Sequence, residues 1–489
     1  MYDFFKNIAE QNSCTLMGAC SIHPSVNALY QIILNEIREI SFYLVKLKEF
    51  KITDKDAIKL SIDGLSIFLI NTSYSQNNYL EFLNDLHETK LRIKEKYIDF
   101  CKENEFPCEL LKPNFSLKKE TTISQLINFA QNNFINKQKN INKTKQRLFE
   151  LITLFARLCA IEIIKIKKLE PDFDEYDFEI LRFFALTNAY SIRNEKIIRR
   201  IYEFSDFSMK VILKLSLIYQ QKYGLKETAN TKTSLLDGHC ILVSGDDLDE
   251  LEKLLNTIEK LNSNESINVY THGPLFLAHF YPYFKKNKFL KGHFGTDNAE
   301  YDFSVFDGSI LITQNFIQKI DSLYRGEIFS NKLISFSKVS DIKNNDYLPV
   351  IESALKLEGC KKSKESSAIK IDYDREKIKK FIDSANVEEI IVISGLNNDN
   401  QVVENFENKK IIKLNCPLEG DILLESIGKL KEKNIKITVF LAQCNLSNMG
   451  VLLTLLNQDI DLHIANCPHT LINPHVIESL KEDFNVNII

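Results

Sequence analysis

No two cysteines of the chain stand in a CxxC spacing, which removes the strongest local signature of a zinc ribbon, a thioredoxin-type dithiol or a ferredoxin-type cluster. The dinucleotide fingerprint GxGxxG and the phosphate-cradling P-loop pattern are missing, so neither standard nucleotide site is written locally. HExxH and GxSxG are absent too, which takes away the common metalloprotease and serine-hydrolase signatures. No run approaches ~18 uninterrupted apolar residues, and the opening MYDFFKNIAEQN has no basic stretch leading into an apolar one, so a cytoplasmic protein outside the membrane is expected. Basic excess is also lacking: 62 Lys plus Arg against 66 Asp plus Glu give a net charge of -4, and nucleic acid is not an expected partner.

Glycine is scarce in one half only. Gly18 and Gly64 are the only two before position 224, and the other thirteen follow from Gly224 onward, so the halves are built differently. At 489 residues the length suggests about three domains. Residues 25–106 contain no proline, and Val26, Leu29, Ile32, Ile33, Ile37, Ile40 and Leu44 recur at helical spacing. Further helical patterns cover about 76–104, 138–168 and 190–223, with Pro107, Pro113 and Pro171 as interruptions. The Asn/Lys-rich segment that begins KKETTISQL reads equally as a long loop or an exposed helix. An N-terminal helical domain over 1–235 follows.

From about 236 short β-branched runs alternate with helical stretches: HCILVSG, INVYTHG, SILITQN and KLISFSK, then EIIVISG, KIIKLNC, KITVFLAQC and DLHIANC. This predicts two successive parallel-sheet α/β domains, 236–365 and 366–489. Helices over Asp246–Leu261, Asp346–Gly359, Asp374–Ala385 and Asp421–Asn434 would each open on an acidic cap. Sites in such domains form at the carboxyl ends of strands, which here carry Asp246, His272, Asn315, Leu396, Cys416, Cys444 and Cys467.

The ten cysteines, at 14, 20, 101, 108, 159, 240, 360, 416, 444 and 467, are too dispersed for a disulfide scaffold, and any metal site has to be assembled from distant segments. Cys416, Cys444 and Cys467 each close a predicted strand and could share a soft metal; equally, each fits as a small buried hydrophobe. His272, His279, His469 and His475 read as ligands or as satisfied structural imidazoles. Cys14 and Cys20 offer two thiolates, half of a four-cysteine cluster.

The run NVYTHGPLFLAHFYPYFKKNKFLKGHFGTDNAEYDFSVFDGSILITQNFI (268–317) is similar in wording and order to the hybrid cluster proteins, also called prismane proteins or hydroxylamine reductases. ILVSGDDLDELEKLL (241–255), SCTLMGAC (13–20), LAQCN (441–445) and VLLTLLNQDIDLHIANCPHTLINPHVI (451–477) extend the resemblance from end to end. It implies an N-terminal helical domain followed by two Rossmann-like domains, as in the related carbon monoxide dehydrogenases. It also implies an N-terminal cubane cluster and, between domains, a hybrid iron–sulfur–oxygen cluster that reduces hydroxylamine or nitric oxide.

Against that family pattern many ligand positions are substituted. Cys14 and Cys20 match the last two cubane cysteines, whereas Tyr2 or Asp3 and Phe5 or Lys6 stand where the first two fall. Of one histidine, two glutamates and four cysteines that hold the hybrid cluster, Asp246 replaces the histidine, Pro274 a glutamate, and Phe316 and Leu396 two cysteines. Cys416 and Cys444 match, and the segment with the second glutamate is missing between Cys444 and Val451. The resemblance therefore implies a degenerate member, with no cofactor or with a remodelled iron–sulfur cluster at Cys416 and Cys444. Asp246, His272 and Cys467 would assist that cluster, and Cys14 and Cys20 would be the remaining metal candidates. The expected partner is a second copy or an intact paralogue, and a metal-free small-molecule binder is the alternative role.

Overall fold

The computed structural model describes residues 24–67, 75–111, 121–135, 142–261, 267–295, 299–313, 324, 326–332, 334, 339–363, 368–371, 375–394, 410–414, 420–442, 446–465 and 474–488. The chain divides into two compact units: residues 1–212, 449–459 and 466–489 form one, and residues 213–448 and 460–465 form the other.

The first unit is helical: α1 (Pro24–Glu49), α2 (Lys55–Ser66), α3 (Gln76–Glu103), α4 (Ile123–Ala130), α5 (Lys143–Leu169), α6 (Asp177–Phe184) and the first part of α7 (Asn194–Tyr223). Local chemistry sets the starts. The Asp54 carboxylate accepts from Ala57 N at the head of α2, Ser75 caps α3, Thr122 and Gln125 form a capping box on α4, and Asn142 caps α5. The segment left open between loop and helix thus contains α4, continued by a π-turn at Gln131–Ile135. Helix α6, just after Pro171, was not expected.

The apolar face read from the sequence of α1 is the buried one, with Val26, Leu29, Ile32, Ile33, Ile37, Ile40 and Leu44 at 2% exposure or less. Each such side chain contributes about 1.5–3 kcal/mol relative to leaving it in water. Between α1 and α3 the core also holds a charged group: Glu36 accepts from Lys90 Nζ at 3.0 Å and meets His87 Nδ1 at 3.0 Å, all three buried. Arg147 of α5 reaches Glu478 at 3.0 Å and Asp483 at 3.1 Å on the C-terminal helix, residues 474–484.

The second unit holds parallel sheets. The first sheet runs in the order β4 (Leu290–His293), β3 (Ile267–His272), β2 (His239–Ser244), β5 (Ser309–Ile312), β6 (Ile328–Ser330), β7 (Ser340–Asp341), every neighbouring pair being parallel. The helix after β2 is α8 (Leu248–Leu261). In the other sheet β9 (Glu389–Ser394) lies between β10 (Lys410–Leu414) and β11 (Lys436–Ala442), and β11 pairs with β12 (Asp461–Ala465), again in parallel. A small antiparallel pair joins β1 (Ala229–Lys232) to β8 (Ala368–Ile371). The expected strand at 332–338 falls mostly outside the described residues, and the strand in that region is β6. The predicted combination of a helical part with parallel-sheet α/β parts is present.

One pairing was not legible in the sequence. Cys240 on β2 is disulfide-bonded to Cys360, 120 positions away, in a core that includes Leu242, Tyr270, Phe303, Phe306 and Ile310. Gly238 and Cys360 exchange backbone hydrogen bonds at 3.0 and 2.9 Å beside it. Among the described residues no helix is long and apolar enough to cross a membrane.

Candidate functional site

Because β2, β3 and β5 are parallel and in register, their carboxyl ends come to one edge, with Ser244 aligned to His272 on one side and to Ile312 on the other. Each end is followed by a glycine in the left-handed region, Gly245 (φ 140) after β2 and Gly273 (φ 63) after β3. The chain can therefore turn sharply off the sheet.

Two polar networks occupy this edge. Since Thr271 and His272 are successive strand residues, their side chains leave opposite faces of β3. On one face His272 Nδ1 meets Ser244 Oγ at 2.8 Å and its Nε2 meets Asp302 Oδ2 at 3.2 Å. Asp302 belongs to α9 (Ala299–Ser304), whose Phe303 ring lies 5.3 Å from the imidazole. Gly295 packs against this pair so closely that a Cβ there would come within 2.5 Å of His272 Cδ2 and 2.8 Å of Asp302 Oδ2.

On the other face Thr271 Oγ1 sits between His279 Nε2 at 2.8 Å and His293 Nδ1 at 2.9 Å. Burial holds the His279 imidazole down to about 4, against a smaller upward push from its hydrogen bond with the Gly292 backbone. Burial, and then the neighbouring His279 and His272, push His293 down to about 3. Both rings are therefore neutral at pH 7. His279 gives its Nδ1–H to Gly292, so its Nε2 accepts from the Thr271 hydroxyl, whose oxygen accepts from His293 Nδ1–H; these tautomers are the assignment that satisfies the network.

The hydroxyl–imidazole–carboxylate order of Ser244, His272 and Asp302 can pass a proton. With exposures of 1%, 4% and 2%, however, the three groups are closed to solvent and act as a satisfied buried network. Alongside, Asp247 rather than Asp246 caps α8: its Oδ1 accepts from Asp249 N at 3.1 Å and Glu250 N at 3.3 Å, and its own N–H meets Thr313 Oγ1 at 3.4 Å. Glu250, fully buried in the first turn of α8, is paired with Lys332 Nζ at 3.2 Å.

Of the residues singled out in the sequence, Asp246 is half-buried at the β2 turn, and Pro274 lies in the 3-10 turn Gly273–Phe280. His279 and His272 belong to the networks above. His475 is in the helical unit, 3.5 Å from Gln146. Cys14, Cys20, Asn315, Phe316, Leu396, Cys416, Cys444, Cys467 and His469 lie outside the described residues. Among the described residues no group of three or more His, Cys, Asp or Glu side chains is arranged to hold a metal ion. Ser244, Thr271, His293 and Asp302 were missed as site residues. The first two are the strand-end residues beside positions already singled out, whereas nothing in the spacing of Asp302 announces its contact.

Helices combined with parallel sheets, and histidines gathered where the strands of one sheet end, define a multidomain α plus α/β protein. Residues 7–451 match the model of the Prismane/CO dehydrogenase family, and the chain belongs to that family. It is 26% identical over 414 residues to a hydroxylamine reductase of Syntrophobacter fumaroxidans, covering 79% of this chain and 72% of the relative. To the hydroxylamine reductase of Thermodesulfovibrio yellowstonii it is 27% identical over 389 residues, 75% of this chain and 67% of the relative. The hydroxylamine reductase of Halothermothrix orenii is 22% identical over 447 residues, 88% and 78%. The family resemblance read from the sequence is thereby established.

Proposed function

We propose that this chain is a hybrid cluster protein homologue that has lost hydroxylamine reduction and persists as a cytoplasmic binding or assembly protein, paired with itself or with an intact paralogue. The observation that carries the reading is Pro274: the turn after β3 presents a ring with no donor atom where the resemblance calls for a glutamate ligand. Support comes from Asp246, a carboxylate in the place of an imidazole, and from His272, whose two ring nitrogens are already engaged by Ser244 and Asp302. The described strand-end residues do not fit the ordinary hybrid cluster. Phe316 and Leu396, in place of two cysteines, add two more positions without a ligand atom.

The test is anaerobic purification with iron and acid-labile sulfide measured per chain, alongside hydroxylamine turnover. Near-zero iron and no turnover are expected. Stoichiometric cluster with turnover would overturn the reading; several irons without turnover, lost on Cys416→Ser and Cys444→Ser, would favour a remodelled cluster instead.

A further inference from the structure

In the helical unit, remote in sequence from the strand-end positions, two thiols are held against each other. Cys101 is on the last turn of α3, 2% exposed, and Cys108 follows on the exposed stretch beyond the helix. The Cys101 thiol lies close enough to the Cys108 thiol, and to the Tyr97 hydroxyl one turn earlier on α3, for each to act on its ionisation. The segment between them is folded back rather than free. Glu105 takes a left-handed turn (φ 55), and Phe106 N bonds to Cys101 O at 2.9 Å. The Phe106 ring stacks on Phe50 at 5.4 Å. Beyond Cys108, Glu109 N donates to Tyr97 Oη and Leu111 N to Tyr43 Oη, each at 3.3 Å, and the Glu109 carboxylate meets Lys46 at 2.6 Å. Five contacts thus bracket Cys108 and fold its segment back toward the end of α3 that carries Cys101.

The geometry points to a thiol–disulfide exchange site, with Cys108 as the attacking thiol, Cys101 as the resolving thiol, and a low-molecular-weight disulfide as the oxidant. Cys108 thiolate attacks one sulfur of the small disulfide RSSR, forming a mixed disulfide and releasing RS⁻. Cys101, its proton passing to the released thiolate, then attacks Cys108 Sγ, expels the second RS⁻ and closes the Cys101–Cys108 bond, the second RS⁻ taking from water the proton that Cys108 gave up on ionising. The pair loses two electrons and two protons, and RSSR becomes two RSH. Exposure assigns the roles: reagent reaches Cys108, whereas buried Cys101 reaches only Cys108. The other described cysteines lack this arrangement, since Cys159 is buried against Ser208 Oγ at 3.1 Å and Cys240 and Cys360 are already bonded to each other. Although Cys108 is exposed, partial desolvation against the neighbouring chain, then the proximity of Cys101, pushes its thiol up to about 11, opposed by Lys102. The thiolate fraction is small at pH 7, and exchange should accelerate about tenfold per pH unit from 7 to 9.

The full-length protein is treated with oxidised glutathione, alkylated, cut with trypsin without reduction and mapped by mass spectrometry. Cleavage after Lys96, Lys102 and Lys118 puts Cys101 and Cys108 on separate peptides, 97–102 and 103–118. The expected wild-type product is these two peptides joined, with no retained glutathione. Cys101→Ser should leave glutathione trapped on Cys108, and Cys108→Ser should leave Cys101 unmodified. A wild-type map in which Cys108 keeps glutathione, or in which neither cysteine changes, overturns the proposal, whatever the variants do to folding.

Discussion

Reducing the Cys240–Cys360 bond should weaken the sheet unit by an amount that follows from the loop it closes. The separation is 120 residues, and that loop contains β3 to β7 together with α8 and α9. The loop-entropy relation gives about 16 cal/mol/K, or about 5 kcal/mol at 25 °C, for a closed loop of this length. The native side adds to the loss rather than offsetting it. Cys240 is 0% and Cys360 3% exposed, and the tight approach of Gly308, where a Cβ would lie 2.7 Å from Cys240 Sγ, leaves two unbonded sulfurs no room to part. With no tryptophan in the chain, urea unfolding is followed by circular dichroism or tyrosine emission, with and without a phosphine reductant. At a urea m-value of about 3 kcal/mol/M the transition of this unit should move down by about 1.5 M. An unchanged midpoint in protein whose thiol count proves the pair reduced would refute the reasoning, and so would finding both thiols free in the protein before any reductant is added.

Two further predictions concern the strand ends. Gly295→Ala combines a residue held at φ +113 with a Cβ driven to 2.5 Å from His272, and should cost about 2–4 kcal/mol in urea unfolding; a loss under about 0.5 kcal/mol would mean that the His272–Asp302 pair is not packed as described. His279 and His293 are both depressed in the folded protein, to about 4 and about 3, so below the unfolded value near 6.5 the unfolded chain binds the extra protons. Stability from these two rings is complete above about pH 6.5 and should fall by about 1.4 kcal/mol per pH unit for each ring as the pH drops toward 4. His279→Gln with His293→Gln should flatten the pH 6.5–4 slope measured by urea midpoints, and an unchanged slope would assign the acid sensitivity to other groups.

Periodicity carried what depends on near neighbours in sequence. The spacing in α1 named its buried face because seven apolar residues share one side of a helix, and the β-branched runs named β2, β3, β5, β9, β10, β11 and β12 because short runs rich in Val and Ile between turn residues favour strands. The acidic cap of α8 was legible to within a residue, the choice between Asp246 and Asp247 turning on which carboxylate could face the N–H groups of Asp249 and Glu250, whereas Asp421, expected to open its helix, lies inside Gly420–Glu432. What stayed hidden depends on contacts between distant positions. Cys240 finds Cys360 across 120 residues, and His272 finds Asp302 through a six-residue helix with no motif of its own. The two thiols of the proposed exchange site are only seven positions apart, yet the left-handed turn at Glu105 and the two tyrosine hydroxyls that bring them together are features of the fold, not of the spacing.

If the ligand positions are substituted as proposed, the strand-end networks supply what a fold without the metal would need. In a protein whose folding is coupled to metal binding, the ligands are polar groups gathered in a protected place, and without the metal their desolvation goes uncompensated. At this edge the polar groups answer one another. Ser244 and Asp302 take both nitrogens of His272, Thr271 bridges two neutral imidazoles, Asp247 caps α8, and Lys332 neutralises Glu250. Each buried hydrogen bond so made removes a penalty of about 1–3 kcal/mol that an orphaned group would impose. Pro274 and the half-buried Asp246 ask for no metal either, the first having no lone pair in its side chain and the second lying where water can reach it. Under that proposal, substitution at the ligand positions need not cost the sheet its stability, which is the condition the proposed loss of reaction requires.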